Sequence, residues 1–280
     1  MSIKSGVIGY PIKHSLSPKI HEFFLDKYEI DGSYEKIEIP VENFKGEIDK
    51  LKELGYKGFN VTIPHKEEIF KMCNYASKSA FLTKAVNTIV ITDDKKIFGH
   101  NSDADGFIDN LAHNIKDFSF TNKRAFILGA GGAARAIIYG LIKSGIKEIS
   151  ITNRTQDRVN KIIKDFSGFC EENNAKINFL DKSDFVSSLN QCDLLINSTS
   201  LGMDGQDKLD LDISNLKKSA IVYDIVYKPL MTKLLTAAQN NGNQIVTGIG
   251  MLVFQALVGF ELWFKEKPEE KYIQELLKII

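Results

Sequence analysis

In the segment NVTIPHKEE, Asn60 to Glu68, a strand-like run ends at Pro64 and a lysine, Lys66, opens what reads as a helix. A helix N-terminus is electropositive, so the carboxylates of Glu67 and Glu68 suit that first turn and an ammonium does not. Lys66 is therefore either an incidental surface charge or an ammonium placed to carry a proton. Three further segments, HSLSP, AVNT and GHNSDADGF, set polar groups at strand ends or tight turns. Together the four offer His14, Ser15, Ser17, Asn60, Thr62, Lys66, Asn87, Asn101 and Asp103. Ligands of α/β sheets bind beyond the carboxyl ends of strands, and GVIGY and GFNVTIP each run into such a segment, so these groups can converge on one pocket. Each also has a structural use. Ser17 before Pro18 makes an N-cap with proline at N1, Asn87 and Asn101 suit turns, and Asp103 can cap the helix that follows it.

The stretch LGAGGAARA offers a different chemistry, the binding of a pyrophosphate. Gly129, Gly131 and Ala134 fit G-x-G-x-x-G/A after a strand and at the opening of a helix. Gly129 permits the tight turn, Gly131 lets the backbone approach the anion, and Ala134 keeps the helix close to the strand. The anion then sits on the helix N-terminus. The end of the next strand selects the dinucleotide. An NAD enzyme places Asp or Glu there for the ribose 2′-hydroxyl, and this chain has Asn153, Arg154 and Thr155. Arg154 can pair a 2′-phosphate or stack on adenine, Asn153 and Thr155 can donate hydrogen bonds, and Arg158 lies one helical step beyond. NADP is the expected cofactor; the competing role for Arg154 is a solvated loop arginine.

The elements that must position these groups read as α/β throughout. The first hundred residues alternate strand and helix: SGVIGY, SPKIHEFFLDKYEI, YEKIEIP, VENFKGEIDKLKELG, GFNVTIP and HKEEIFKMC. AVNTIVITDDKKIFGHN follows as a hairpin about Asp93 to Lys96, then a helix over DADGFIDNLAHNI. RAFILGAGGAARAIIYGLIKSGIKEISITNRT is a βαβ unit of the length a right-handed crossover needs. CDLLINSTS, SAIVYDIVY and NQIVTGIG read as further strands of a mostly parallel sheet, and the tail from Met251 as a helix.

With 36 basic and 36 acidic residues the 280-residue chain has no net charge, so no global field draws nucleic acid or an anionic membrane. The run Met251 to Phe264 is too short to cross a bilayer and is interrupted by Gln255 and Glu261. MSIKSGVIGYP lacks the apolar stretch of a secretory signal, which points to the cytoplasm. Cys73, Cys170 and Cys192 are isolated and the five histidines form no HExxH pattern, so no metal site is expected.

Taken in order, GYPIKHSLSPKIH, NVTIPHKE, AVNT, GHNSDADGF, ILGAGGAARA, NRT, INSTSLGM, YDIVYKPLMT and GIGMLVFQALVGFELW resemble the signature segments of the shikimate dehydrogenases over nearly the whole chain. The resemblance implies an N-terminal α/β substrate domain with a mixed sheet, residues 1–103 plus 251–280, and a Rossmann-like, doubly wound NADP-binding domain, residues 104–250. It implies that Ser15 and Ser17 bind the substrate carboxylate and that Thr62 and Asn87 bind ring hydroxyls. Lys66 and Asp103 match the catalytic pair, also in contact with substrate, and Tyr227 and Gln255 match further substrate contacts. Gly129, Ala130, Gly131, Gly132, Ala133, Asn153, Arg154, Thr155, Arg158, Ile225 and Gly248 would line the NADP site. The implied reaction is the reversible NADP-dependent reduction of 3-dehydroshikimate to shikimate in aromatic amino-acid biosynthesis, by a monomer or homodimer acting on a small molecule.

Three positions depart from the pattern: Ser102 where threonine is common, Lys84 where a glycine is common, and LWFKEKPEE, which lacks the usual glycine after the tryptophan. Other readings stay open. A quinate-accepting relative that uses NAD shares most motifs, and another two-domain NADP dehydrogenase, such as one acting on folate, fits the nucleotide half but not HSLSP and VYKP. A non-catalytic nucleotide-binding sensor would keep the glycine turn without needing Lys66 together with Asp103.

Overall fold

In the computed structural model, which describes residues 2–280, the chain forms two units, one of residues up to Gly106 with Leu252–Ile280 and one of Phe107–Met251. The first runs β1 (Ile3–Gly9), α1 (Ser17–Lys27), β2 (Gly32–Glu38), α2 (Phe44–Glu53), β3 (Gly58–Val61), α3 (Lys66–Met72), β4 (Tyr75–Ala76), α4 (Lys78–Thr83), β5 (Thr88–Ile91) and β6 (Ile97–His100), and α5 (Asp103–Asn114) starts in it and ends in the second. Its sheet has the order β2-β1-β3-β5-β6-β4. β1 lies parallel to β2 and β3, whereas β5 runs antiparallel to β3 and β6, so the sheet is mixed. The expected hairpin is this β5–β6 pair. The short β4 and α4 escape a periodicity argument because two and six residues carry too little pattern.

The second unit runs β7 (Arg124–Leu128), α6 (Gly132–Lys143), β8 (Glu148–Thr152), α7 (Gln156–Asn173), β9 (Lys176–Phe179), α8 (Lys182–Ser187), β10 (Leu194–Asn197), β11 (Ile221–Asp224), α9 (Lys233–Asn240) and β12 (Gln244–Val246). All six strands are parallel in the order β12-β11-β10-β7-β8-β9, the doubly wound arrangement. The buried faces of β7, β10 and β11 explain their unbroken apolar runs. One expectation is corrected: NQIVTGIG is not all strand. β12 pairs with β11 over Gln244, Ile245 and Val246 and stops there, and helix α10 (Gly248–Phe264) has begun by Gly248.

After α10 comes α11 (Glu270–Ile279). The part of α10 in the first unit packs Val253, Phe260 and Trp263 into a cluster with Ile20 and Phe24 of α1, and the Trp263 Nε1–H donates to the Ile89 carbonyl at 2.8 Å. Lys84, where a glycine is common, and Lys265, within the LWFKEKPEE segment that lacks one, both adopt left-handed backbone with φ of 56° and 60°. The glycine-like turn is therefore kept without glycine. Such a residue carries a strain on the order of 1 kcal/mol.

Candidate active site

β1 and β3 lie side by side, with Ile8 opposite Val61, and their carboxyl ends lead into the polar segments. Beyond β3 the Thr62 N–H donates to the Ile8 carbonyl at 2.9 Å and the His65 N–H to the Thr62 carbonyl at 3.0 Å. His65 is buried, stacked on Phe44 at 4.1 Å, with Nε2 2.6 Å from the Ile39 carbonyl oxygen. This anchor sets the start of α3, so Lys66 stands at its first position ahead of Glu67 and Glu68. The ammonium is not loose in solvent. Lys66 Nζ donates to Asp103 Oδ2 at 2.7 Å, the side chains being 28% and 15% exposed, and Asn87 Nδ2 donates to Asp103 Oδ1 at 2.8 Å. A carboxylate with one oxygen on an ammonium and the other on an amide is fixed in both position and plane. Its partner's remaining ammonium hydrogens are available to an oxygen of a ligand.

The network behind the pair alters several expected roles. Asp103 does not cap α5, because its oxygens are taken; Asn101 Oδ1 accepts from the Asp103 N–H at 3.1 Å instead. Asn87 does more than hold a turn: its Oδ1 accepts from the Ser102 N–H at 2.8 Å, and its Nδ2 also reaches Gln255 Oε1 at 3.4 Å. Gln255 interrupts an apolar helix because its amide ends in this polar cluster, with Nε2 donating to the Leu252 carbonyl at 2.9 Å. Ser102 Oγ lies 3.1 Å from Thr88 Oγ1 and 3.2 Å from Asn87 Oδ1, so the hydroxyl alone is in use there.

Asn60, expected to face a ligand beside Thr62, is instead consumed inside. Its Oδ1 accepts from the Tyr34 hydroxyl at 2.6 Å, its Nδ2 donates to the Asn87 carbonyl and to Thr88 Oγ1, both at 3.2 Å, and only 5% of the residue is exposed. His21, stacked on Tyr34 at 3.8 Å, lies 3.3 Å from the same Asn60 oxygen, and burial pulls its imidazole down to about 3 against the opposing Asn60 contact. Ser17 is not the cap of α1. It is the first helical residue, Leu16 stands at the cap without a side-chain bond, and Ser15 Oγ accepts from the Ser17 N–H at 3.3 Å. Thr62 and Ser15 are half-buried, and His14 is exposed.

The second unit presents the other predicted residues. Beyond β7, Gly129 has φ of 103°, and a Cβ there would meet Thr199 Cγ2 at 2.7 Å and Ser198 Oγ at 2.8 Å. Only glycine serves. Gly131 and Gly132 are exposed with nothing near their missing Cβ atoms, Ala130 and Ala133 are half-buried beside them, and Ala134 is buried. Helix α6 starts at Gly132 with no side-chain cap and no acidic residue in its first turn, which leaves the N–H groups and the dipole free for an anion. Asn153 is tied to the Thr155 carbonyl at 2.9 Å, while Arg154, Thr155 and Arg158 are exposed. Neither arginine is paired with a carboxylate among the described residues. A pyrophosphate cradle and two free guanidiniums fit a dinucleotide carrying a 2′-phosphate. Ile225 donates its N–H to the Asn197 carbonyl at 3.1 Å, and its own carbonyl lies where a Cβ on Gly248 would fall. Tyr227 is 37% exposed.

Sequence reasoning passed over Asp224, a lone carboxylate in the apolar run SAIVYDIVY. It is fully buried and accepts from Asn197 Nδ2 at 2.9 Å, the Val226 N–H at 3.0 Å and the Thr232 hydroxyl at 2.7 Å. Burial pushes its carboxyl above the ordinary range despite these bonds. It fastens the segment that carries Ile225 and Tyr227, and a charge inside an otherwise apolar strand was the available signal.

A parallel doubly wound sheet with a glycine turn, in a chain whose other unit holds an ammonium–carboxylate pair among amides, defines a dinucleotide-dependent dehydrogenase. Three family models match: the shikimate dehydrogenase substrate binding domain over residues 7–89, shikimate/quinate 5-dehydrogenase over 110–225, and the shikimate 5′-dehydrogenase C-terminal domain over 248–278. The shikimate dehydrogenase (NADP(+)) of Paramagnetospirillum magneticum is 40% identical over 265 residues, 95% of this chain and 94% of that one. Among solved structures, the Listeria monocytogenes shikimate 5-dehydrogenase in complex with shikimate and NAD has a TM-score of 0.90 at 32% identity, covering 99% of this chain and 96% of the other. The Thermus thermophilus enzyme in complex with NADP(H) and shikimate has a TM-score of 0.85 at 29% identity, covering 99% and 98%. The chain belongs to the shikimate dehydrogenase family.

Proposed function

We propose that this chain is an NADP-dependent oxidoreductase that interconverts 3-dehydroshikimate and shikimate, a step toward chorismate and the aromatic amino acids. The observation that carries the proposal is the Lys66–Asp103–Asn87 arrangement, with its 2.7 Å and 2.8 Å contacts, in a chain of this family. In this reading residues 1–103 with 251–280 bind the substrate and residues 104–250 bind the cofactor. Ser15 and Ser17 hold the substrate carboxylate, Thr62 and Asn87 hold its ring hydroxyls, Tyr227 and Gln255 make further substrate contacts, and Gly129 to Ala133, Asn153 to Thr155, Arg158, Ile225 and Gly248 hold NADP. Bound NADP supplies or takes the hydride.

The protein orients the ring and manages one proton at the reacting oxygen. As that oxygen gains negative charge in the reducing direction, the Lys66 ammonium stabilises it and gives up a proton; in the reverse direction the amine receives one. Asp103 aims the ammonium and keeps its charge compensated, and Asn87 keeps Asp103 from turning away. Substrate is a small molecule, the enzyme acts in the cytoplasm as a monomer or homodimer, and nucleic acid and membrane have no part. No helix among the described residues is long and apolar enough to cross a membrane.

The test is a spectrophotometric assay that crosses shikimate and quinate with NADP and NAD. Shikimate with NADP is expected to give the highest kcat/KM. Preference for quinate with NAD would move the chain to the alternative branch of its family, and absence of turnover with both ligands bound would make it a sensor.

A further inference from the structure

We infer that His100 is a positioning residue for Asp103, acting as a clamp across the turn from β6 into α5. The inference rests on the proposed reading of Lys66 and Asp103 as the reacting pair. His100 Nε2 lies 2.8 Å from Asp105 Oδ2, and Nδ1 lies 2.9 Å from Ser77 Oγ and 3.4 Å from Ser79 Oγ. A carboxylate only accepts, so Nε2 carries the hydrogen, and in the neutral ring Nδ1 accepts from the serine hydroxyl. The ring thus joins the last residue of β6 to the first turn of α5, with Asp103 in the span it closes.

Four further contacts turn this span into a frame. The His100 carbonyl accepts from the Asn87 N–H at 3.2 Å. Ser79 Oγ donates to the Asn101 carbonyl at 3.1 Å, and Asn101 Nδ2 donates to Thr83 Oγ1 and the Ala85 carbonyl. Asn87, whose amide holds the Asp103 carboxylate, and Asn101, whose side-chain oxygen holds the Asp103 N–H, are therefore referenced to the strand end that the His100 ring fixes. The pair is shielded, with side chains 21% and 32% exposed. Ser77 Oγ also accepts from the Ala80 N–H at 3.2 Å as the cap of α4, which ties the row Ser77–His100–Asp105 to that helix.

A carboxylate that must aim an ammonium tolerates little displacement, and an error of about 1 Å costs a factor on the order of 10² in rate. Removing the ring frees the turn without touching Lys66, Asp103 or the nucleotide cradle. The experiment compares wild type with His100→Phe, Asp105→Asn, the double variant and His100→Gln, whose amide meets both partners. Two readouts are followed in protein shown to be folded by circular dichroism: steady-state kinetics with shikimate and NADP, and the ¹H–¹⁵N signal of the Lys66 ammonium.

His100→Phe is expected to lower kcat by about 10- to 100-fold with KM for NADP within about twofold, and to broaden the Lys66 signal. Asp105→Asn moves both readouts the same way by less, the double variant is no worse than His100→Phe, and His100→Gln recovers most of the loss. Unchanged kcat and an unchanged Lys66 signal in His100→Phe overturn the clamp. If wild type is inert on shikimate but the signal still broadens, the clamp stands and the reaction assignment fails. If wild type is inert and the signal is unchanged, both fail.

Discussion

The two units solve opposite problems with their polar groups. In the first, nearly every amide and carboxylate near Lys66 is spoken for by another part of the chain: Asp103 by Lys66 and Asn87, Asn87 by Ser102, and Asn60 by Tyr34 and Thr88. In the second, the groups assigned to the anions of the cofactor stand open, with α6 uncapped, Gly131 and Gly132 exposed, and Arg154 and Arg158 exposed, while Asn153 is held by the Thr155 carbonyl. The difference follows from the work proposed for each. A proton carrier must be held in one geometry before the substrate arrives, so its neighbours are locked by internal bonds. A charge reader must keep its donors free, because the anion itself satisfies them.

Breaking the locked side costs the most. Lys66→Ala is expected to lower kcat by a factor on the order of 10² to 10⁴ while the Kd for NADP, followed by fluorescence titration, stays within about twofold. Wild-type kcat in that variant would erase the contrast. On the open side, Arg154→Ala is expected to raise KM for NADP by roughly 10- to 100-fold, as loss of a charge-assisted pair requires, and to leave KM for NAD nearly unchanged. Equal effects on the two cofactors would show that Arg154 does not read the phosphate.

The buried support of the first unit carries a pH signature. His21 is held neutral, with its value pulled from the usual 6.5 down to about 3 by burial. Below the unfolded value the unfolded chain binds a proton that the folded one refuses, so His21 lowers stability as pH falls from about 6.5 toward 3, by about 1.4 kcal/mol per unit. Urea midpoints across that window should fall more steeply for wild type than for His21→Phe; parallel slopes would place the imidazole in contact with water. The smallest effect concerns Lys84, whose left-handed backbone leads into Asn87. Lys84→Gly should raise stability by up to about 1 kcal/mol in urea titration, with kcat unchanged, whereas Lys84→Val should lose more than that. A marked fall in kcat for the glycine variant would mean that the lysine side chain itself is used.

Which features the chain revealed before folding divides along the same line. The cofactor cradle was legible because it is local: Gly129 to Arg158 is one βαβ unit whose glycine spacing, apolar strand and arginine-bearing turn follow from backbone geometry and helix-end electrostatics alone. The mixed and parallel sheets were legible from alternating and unbroken apolar runs, while β4, α4 and α8 were too short to show a period. The segments of the substrate side were visible, but their internal assignments were not. Ser17 and Asp103 each had a local capping role and Asn60 an expected ligand, and in each case a partner distant in the chain, or a shift of one residue in the helix start, took the side chain elsewhere.

The sequence by itself determined the class of each half, the polar inventory and the identity of the ammonium at the opening of α3. Only the tertiary structure decided that this ammonium is paired, that Asn60 faces inward, that Asn101 holds the Asp103 N–H, and that His100 bonds Asp105 across the turn from β6 into α5. The physical reason is the range of the interactions. Caps, turns and helix dipoles act over a few residues and leave a mark in spacing, whereas Lys66 meets Asp103 across 37 residues and Asn87 meets Gln255 across 168. Contacts at that range are set by how the strands and helices pack, and no local preference encodes them.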